Sequence, residues 1–243
     1  MTPRRTIFVT GGGSGIGRAI AQRFASEGWF IGLGDIDESG LQETGSLLPS
    51  GFTYSQILDV RDRAAWDGAL KTFAIAAGGR IDVVANAACV APGGALTELT
   101  REEIDRTLEV NLRGAIYGAQ AAYPWLRQTA PGSCLLITSG AAALYGMPKL
   151  SVDGAAKAGL RSLTETLDGE WAADGINVRC LMPGTGDTSP ETVAEAAWQA
   201  VHGSRMHWLP GKAARRMRFA ARWMPGRLRA EARRLAAAED AAS

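Results

Sequence analysis

Short apolar runs alternate with amphipathic segments along most of the chain. TIFVT (6–10), FIGLGD (30–35), FTYSQILDV (52–60), IDVVANAA (81–88), SCLLITSG (133–140) and INVRCLMPG (176–184) are aliphatic or β-branched runs bounded by Gly, Pro, Ser or Asp. Runs of this length and composition predict strands. Between them, 17–29, 38–48, 61–79, 101–128 and 151–175 carry apolar residues at helical spacing. Strands that are apolar almost throughout, alternating with helices, predict an α/β domain with a parallel sheet covered on both faces. After Pro183 the pattern weakens into a loop, a helix over 190–203, a last strand in RMHWLPG, and an Arg/Ala-rich tail interrupted at Pro225-Gly226. The expected division is an α/β unit over 1–190 and, over 191–243, a helical extension of the same domain.

The composition changes this picture little. The 243 residues are 46% hydrophobic and 21% charged, which suits one globular domain with a sizeable core. The net charge of +1 gives no argument for nucleic acid. Its distribution is uneven: residues 205–234 hold ten Lys/Arg against one acid, Glu231. This tail is expected as a solvated helix face packed on the domain or on a neighbouring subunit. Attachment to an anionic membrane surface is the sharper alternative. No apolar run approaches the ~18 residues of a span. The N-terminus enters a strand without a secretory-type segment, so a cytoplasmic location is expected. Cys89, Cys134 and Cys180, an odd number, are expected to be buried free thiols in a reducing compartment. His202 and His207 are the only histidines. No cluster has metal-ligand spacing, so no metal is expected, and no serine has the histidine partner that a hydrolase needs.

The strongest chemical signal is TGGGSGIG (10–17), between a predicted strand and a predicted helix. Glycines let a backbone approach a pyrophosphate, and a helix N-terminus offers unpaired N–H groups and the positive end of its dipole. Gly11, Gly13, Ser14, Gly15, Ile16 and Gly17 are therefore candidate cofactor contacts. Asp35 ends the second predicted strand, 18 residues after Gly17, where an acid holds the adenosine ribose hydroxyls. A carboxylate there repels a 2′-phosphate, so NAD(H) is favoured over NADP(H), with Arg18 as a nearby complication.

These motifs resemble the short-chain dehydrogenase/reductase family over about residues 5 to 190. Thr10, Gly11, Gly15 and Gly17 match its glycine pattern, and Asp59-Val60 its adenine-contacting pair. Asn86-Ala87-Ala88 falls on its Asn-Asn-Ala-Gly segment, with Ala85 and Ala88 as departures. Asn111 matches the asparagine supporting its proton relay, and Pro183-Gly184 with Thr188 the motif beside the nicotinamide. The resemblance implies a Rossmann-type doubly wound parallel sheet of about seven strands with helices on both faces. It also implies a small-molecule substrate and a homodimer or homotetramer built on the two long helices.

In that family a tyrosine is the acid/base, a lysine four residues later lowers its pKa and holds the nicotinamide ribose, and a serine about 13 residues earlier contacts substrate. Lys157 fits the lysine. Four residues earlier stands Asp153, and 13 before that Gly140, with Ser139 one residue early. The visible Tyr145-x-x-x-Lys149 contains Pro148, which is incompatible with one regular helix turn. Tyr145 is instead a candidate for lining the substrate pocket, as is Trp208. The candidate catalytic set is Asp153, Lys157, Asn111, Ser139 and Tyr145. A carboxylate is a poor proton donor at neutral pH, so a C=N bond, whose iminium form is already cationic, is the substrate class it suits. An ordinary C=O substrate and a catalytically silent or non-redox NAD-binding protein remain as alternatives.

Overall fold

In the computed structural model, which describes residues 4–184 and 188–240, the seven apolar runs form one parallel sheet. Its strands are β1 (Thr6–Thr10), β2 (Phe30–Asp35), β3 (Thr53–Ile57), β4 (Val83–Asn86), β5 (Cys134–Thr138), β6 (Asn177–Leu181) and β7 (His207–Trp208). The spatial order is β3-β2-β1-β4-β5-β6-β7. The helices are α1 (Gly15–Ala25), α2 (Glu38–Ser46), α3 (Arg63–Ala76), α4 (Arg101–Leu108), α5 (Gly114–Thr129), α6 (Ser151–Glu170), α7 (Pro190–His202), α8 (Lys212–Trp223) and α9 (Pro225–Asp240). The expected Rossmann-type α/β fold is the one observed.

Successive strand residues point to opposite faces, and each face has its own core. Ile7, Val9, Ile31, Leu33, Leu136 and Leu181 pack with Ile20 and Phe24 of α1 and Val193, Ala197 and Val201 of α7. Phe8, Val84, Leu135 and Val178 pack on the other side with Trp66, Leu70 and Phe73 of α3, Ala119 and Leu126 of α5, and Leu160 of α6. Trp66 is fully buried, and its indole N–H donates to the Val60 carbonyl. The helix ends are set locally. Asp62 caps α3 through the Ala64 and Ala65 amides, Thr100 and Glu103 form a reciprocal capping box on α4, and Ser189 caps α7.

The long helix expected over 101–128 is interrupted. Glu109–Arg113 form a π-helical segment between α4 and α5. That extra residue in the turn rotates Asn111 inward, where it is 3% exposed. The tail, expected to be interrupted at Pro225-Gly226, forms two helices that part at Met224. The cysteine expectation needs correction at one position. Cys134 and Cys180 are buried on strands, but Cys89 is exposed, because β4 ends at Asn86 and leaves residue 89 in the loop beyond. Residues 185–187, in the loop expected after Pro183, lie outside the described residues.

The turn from β1 into α1 tolerates no side chain at Gly17, where an added Cβ would collide with the Gly11 carbonyl oxygen. Gly11 itself has φ +67, with the Ala88 backbone 3.0 Å from its would-be Cβ. Gly17→Ala is expected to destabilise the fold by about 1–3 kcal/mol through overpacking. Urea unfolding with an unchanged midpoint would contradict this packing.

Candidate active site

The sheet order reverses direction at β1, whose two neighbours, β2 and β4, lead the chain away on opposite sides. Loops leaving such a pair of strands at their C-terminal ends diverge and open a crevice. Here the crevice has a volume of about 530 Å³. Its walls are Gly11 and Ser14–Gly17 after β1, Asp35 and Ile36 after β2, Leu58–Arg61 after β3, and Ala87–Val90 after β4, with Arg106 and Val110 closing one side. The Thr10 hydroxyl fixes the gap between β1 and β4 by accepting from the Ala87 and Ala88 amides at 3.1 and 3.3 Å.

The cleft suits a dinucleotide. Ser14 at the N-cap of α1 makes no side-chain hydrogen bond to the helix, and Gly15, Ile16 and Gly17 of the first turn line the cleft. The first-turn amides of a helix have no intrahelical acceptors and suit a phosphate. Asp35 stands opposite, held in place by the Gly13 amide at 2.9 Å and the Asp37 amide at 3.1 Å. Gly13 thus serves the site through Asp35 and is not itself a wall of the cleft. Arg18 is fully engaged: it makes two bonds to the Glu43 carboxylate (2.7 and 2.6 Å), one to the Gly13 carbonyl and one to Thr44. Asp59 is paired with Arg61, whose guanidinium lowers its pKa.

Behind the Cys89–Val90 wall lies a chain of buried polar groups. Asn111 Oδ1 accepts from the Val90 amide at 2.8 Å, and its Nδ2 donates to the Val90 carbonyl at 2.7 Å and to Asp153 Oδ1 at 3.1 Å. The other carboxylate oxygen of Asp153 meets Lys157 Nζ at 2.9 Å. Asp153 is 2% exposed and the Lys157 side chain 17%. These two are one turn apart on α6, so a regular helix is enough to bring them together. The lysine also owes its path to Gly140. A Cβ there would lie 3.0 Å from Lys157 Cδ and 3.2 Å from Nζ.

The remaining sequence candidates divide. The Ser139 hydroxyl donates to the Lys157 carbonyl at 2.9 Å and is buried, so it anchors the backbone of α6. Asn86 is buried below the cleft floor, donating to the Ala115 carbonyl. Pro183 and Gly184 lie outside the cleft lining, the Pro183 carbonyl accepting from the Ala141 amide, and Thr188 likewise lies outside it. Tyr145 and Lys149 share no helix turn: Lys149 has φ +57, and α6 begins only at Ser151. Tyr145 lines a second, more open cleft of about 780 Å³, between Leu144, Met147, Pro148, the start of α6, and Arg229 and Arg233 of α9. Trp208 belongs to neither cleft; its indole N–H donates to the Arg205 carbonyl.

Sequence reasoning missed Ile36, Leu58, Arg61, Cys89, Val90, Arg106 and Val110 as cleft walls. Most directly follow or precede residues it singled out. Arg106, on α4, gave no local signal. Cys89 is the chemically distinctive one. It is exposed and lines the cleft. Desolvation pushes its titration up and the Asp153 carboxylate adds to that, against the opposing pull of Lys157 and Asn111.

Comparison with known proteins bears on this geometry. The short chain dehydrogenase family profile matches residues 5–198. The probable oxidoreductase EphD of Mycobacterium tuberculosis (strain ATCC 25618 / H37Rv) is 33% identical over 185 residues, 75% of this chain and 31% of that protein. The chain therefore spans about a third of the length of that relative. L-2,3-butanediol dehydrogenase of Corynebacterium glutamicum is 30% identical over 203 residues, 82% of this chain and 78% of that one. The crystal structure of a short chain dehydrogenase/reductase from Burkholderia phymatum in complex with NAD has the same fold, with a TM-score of 0.85 at 22% identity over 95% of this chain and 97% of that one. By the family match over most of its length and by its fold, the chain belongs to the short-chain dehydrogenase family of oxidoreductases.

Proposed function

We propose that the protein is an NAD(H)-dependent oxidoreductase acting on a C=N or C=O bond of a small apolar substrate, with Asp153 at the position of the family's tyrosine. The observation that carries this reading is the continuous chain Val90–Asn111–Asp153–Lys157, which joins the wall of the nucleotide cleft to a buried ion pair. A nicotinamide cofactor would supply or accept the hydride. Gly11 and Ser14–Gly17 would hold its pyrophosphate, Asp35 its adenosine ribose, Asp59 and Val60 its adenine, and Lys157 its nicotinamide ribose.

The donor set argues for the C=N bond. A tyrosine would bring a neutral O–H to the reacting atom, and an aspartate does not. Both Asp153 oxygens are engaged, so its part is to hold Lys157 and Asn111 in place and to bring negative charge near the reacting centre. Lys157, the more exposed member of the pair, is the N–H donor left to meet ribose or substrate. An iminium substrate arrives already protonated and needs no acid. The apolar wall formed by Leu144, Tyr145, Met147 and Pro148, opposite Arg229 and Arg233 in the open cleft, suits the hydrophobic part of a small substrate. The cofactor preference rests on charge. Asp35, Asp37 and Glu43 surround the place of a 2′-phosphate, and Arg18 is taken up by Glu43. A second reading, an NAD-binding protein without redox turnover, is favoured by one observation: Asp153 is 2% exposed, with no oxygen free for substrate.

Three measurements test these readings. NADH is expected to bind at least about tenfold more tightly than NADPH by fluorescence titration, since repulsion of a phosphate by carboxylates is worth 1.4 kcal/mol or more; equal affinities would contradict the role of Asp35. NADH oxidation with a panel of cyclic imines and ketones is expected to show turnover on imines that falls about tenfold or more in Asp153→Asn. Turnover unaffected by that change would remove the carboxylate from the reaction, and NADH binding without turnover on any member would favour the second reading. Iodoacetamide is expected to alkylate one thiol, Cys89, in the folded protein, with a rate that rises only above the ordinary thiol pKa of about 8.5. The Cys134 and Cys180 thiols, pushed up to about 12 by burial, would stay unmodified. NADH is expected to protect Cys89, and alkylation unaffected by saturating NADH would place the cofactor elsewhere.

A further inference from the structure

We propose that α8 docks the protein onto the surface of a lipid bilayer that contains anionic phospholipid. The helix has two dissimilar faces. Ala214 is fully buried, and Ala213, Met217, Ala220 and Ala221 are half-buried beside it, so this small-residue face rests on the body of the protein. Lys212, Arg215, Arg216, Arg218, Phe219, Arg222 and Trp223 face outward. Two of these are large aromatics left in water, Phe219 at 59% and Trp223 at 66% exposure.

Their arrangement is ordered. With 3.6 residues per turn, Lys212, Phe219 and Trp223 fall within a stripe about 40° wide on the helix surface. Arg215 and Arg222 lie along one flank of that stripe and Arg216 along the other. The Arg222 guanidinium is 5.4 Å from the Trp223 ring centroid. An aromatic centre with cationic flanks is what an interfacial helix needs. The rings enter the boundary between headgroups and acyl chains, while the arginines remain at headgroup depth. On α9, past Pro225, Arg227, Arg234 and Leu235 are also exposed, the last at 43%.

The charge of the chain is segregated in the sense this partner requires. Residues 205–234 hold ten of the 26 Lys/Arg and one of the 25 Asp/Glu, leaving the rest of the chain acidic. Polybasic segments are drawn to anionic leaflets, and an acidic body is held off them. Among the described residues no helix is long and apolar enough to cross a membrane, so the contact is peripheral. A second copy of this chain fits less well: a symmetric pairing on this face would oppose arginine to arginine. Nucleic acid would use the arginines but not two aromatics at the crest of a convex helix.

The test is co-sedimentation of the 243-residue protein with vesicles of phosphatidylcholine alone or mixed with phosphatidylglycerol. Binding is expected only to the mixed vesicles, weakening as salt rises. It is expected to fall by roughly tenfold or more in the double variant Phe219→Ser/Trp223→Ser and in Arg215→Glu/Arg222→Glu, with thermal unfolding and NADH affinity unchanged. Three results would each overturn the proposal: no binding to mixed vesicles, equal binding to both, or binding indifferent to Phe219 and Trp223. So would a self-association lost in the Phe219→Ser/Trp223→Ser variant without any vesicle binding, or duplex DNA binding more tightly than the mixed vesicles. If a double variant fails to fold, the lipid and salt dependence of the unaltered protein decides the matter alone.

Discussion

A carboxylate withdrawn from water needs partners for both oxygens, and the centre of this molecule is arranged around that need at Asp153. Leaving such a charge unpaired costs far more than any one surface interaction returns. Asn111 satisfies one oxygen only because the π-helical segment turns it inward, and its other contacts then fix Val90 and the cleft wall. Lys157 satisfies the other oxygen, and its route is open because residue 140 has no side chain. Ser139, next to Gly140, secures the same lysine by its backbone. Five residues from four parts of the chain are thus held in one arrangement by one buried charge.

The fold was legible because its signals are local and repeated. Each strand is an apolar run ending near Gly, Pro, Asp or Ser, and each helix shows its period, so the elements fell close to their expected bounds. The cleft was legible for a different reason. The glycines at 11, 15 and 17 and the acid at 35 stand at chain positions that the strand order turns into neighbours. Asp153 and Lys157 were legible together because four residues are one helical turn. What the sequence did not disclose depends on long-range packing or on the end of an element. Cys89 read as one more buried thiol because nothing in the apolar residues around it shows that the loop after β4 opens onto the cleft. The acceptor of the Ser139 hydroxyl, the Lys157 carbonyl, is 18 residues away and left no local trace. The π segment has no composition of its own, and the two faces of α8 appear only once its alanines are seen against the body.

The tail also shows why net charge is a poor summary. A molecule with a formal charge of +1 behaves as two objects, an acidic body and a basic pair of helices. The open cleft beside Tyr145 lies where they meet, walled by the start of α6 on one side and by Arg229 and Arg233 on the other. Any molecule entering it meets apolar carbon from the body and positive charge from the tail.

Gly140 has a bearing on how such a site changes over time. On the proposed reading, returning to a phenolic acid/base takes more than exchanging Asp153 for tyrosine. That exchange alone removes the acceptor that steers Lys157, while a serine introduced first at 140 pushes its Cβ into the path the lysine now takes. On that reading positions 140 and 153 are coupled through one lysine, and a change at either is felt at the other through the course of its side chain.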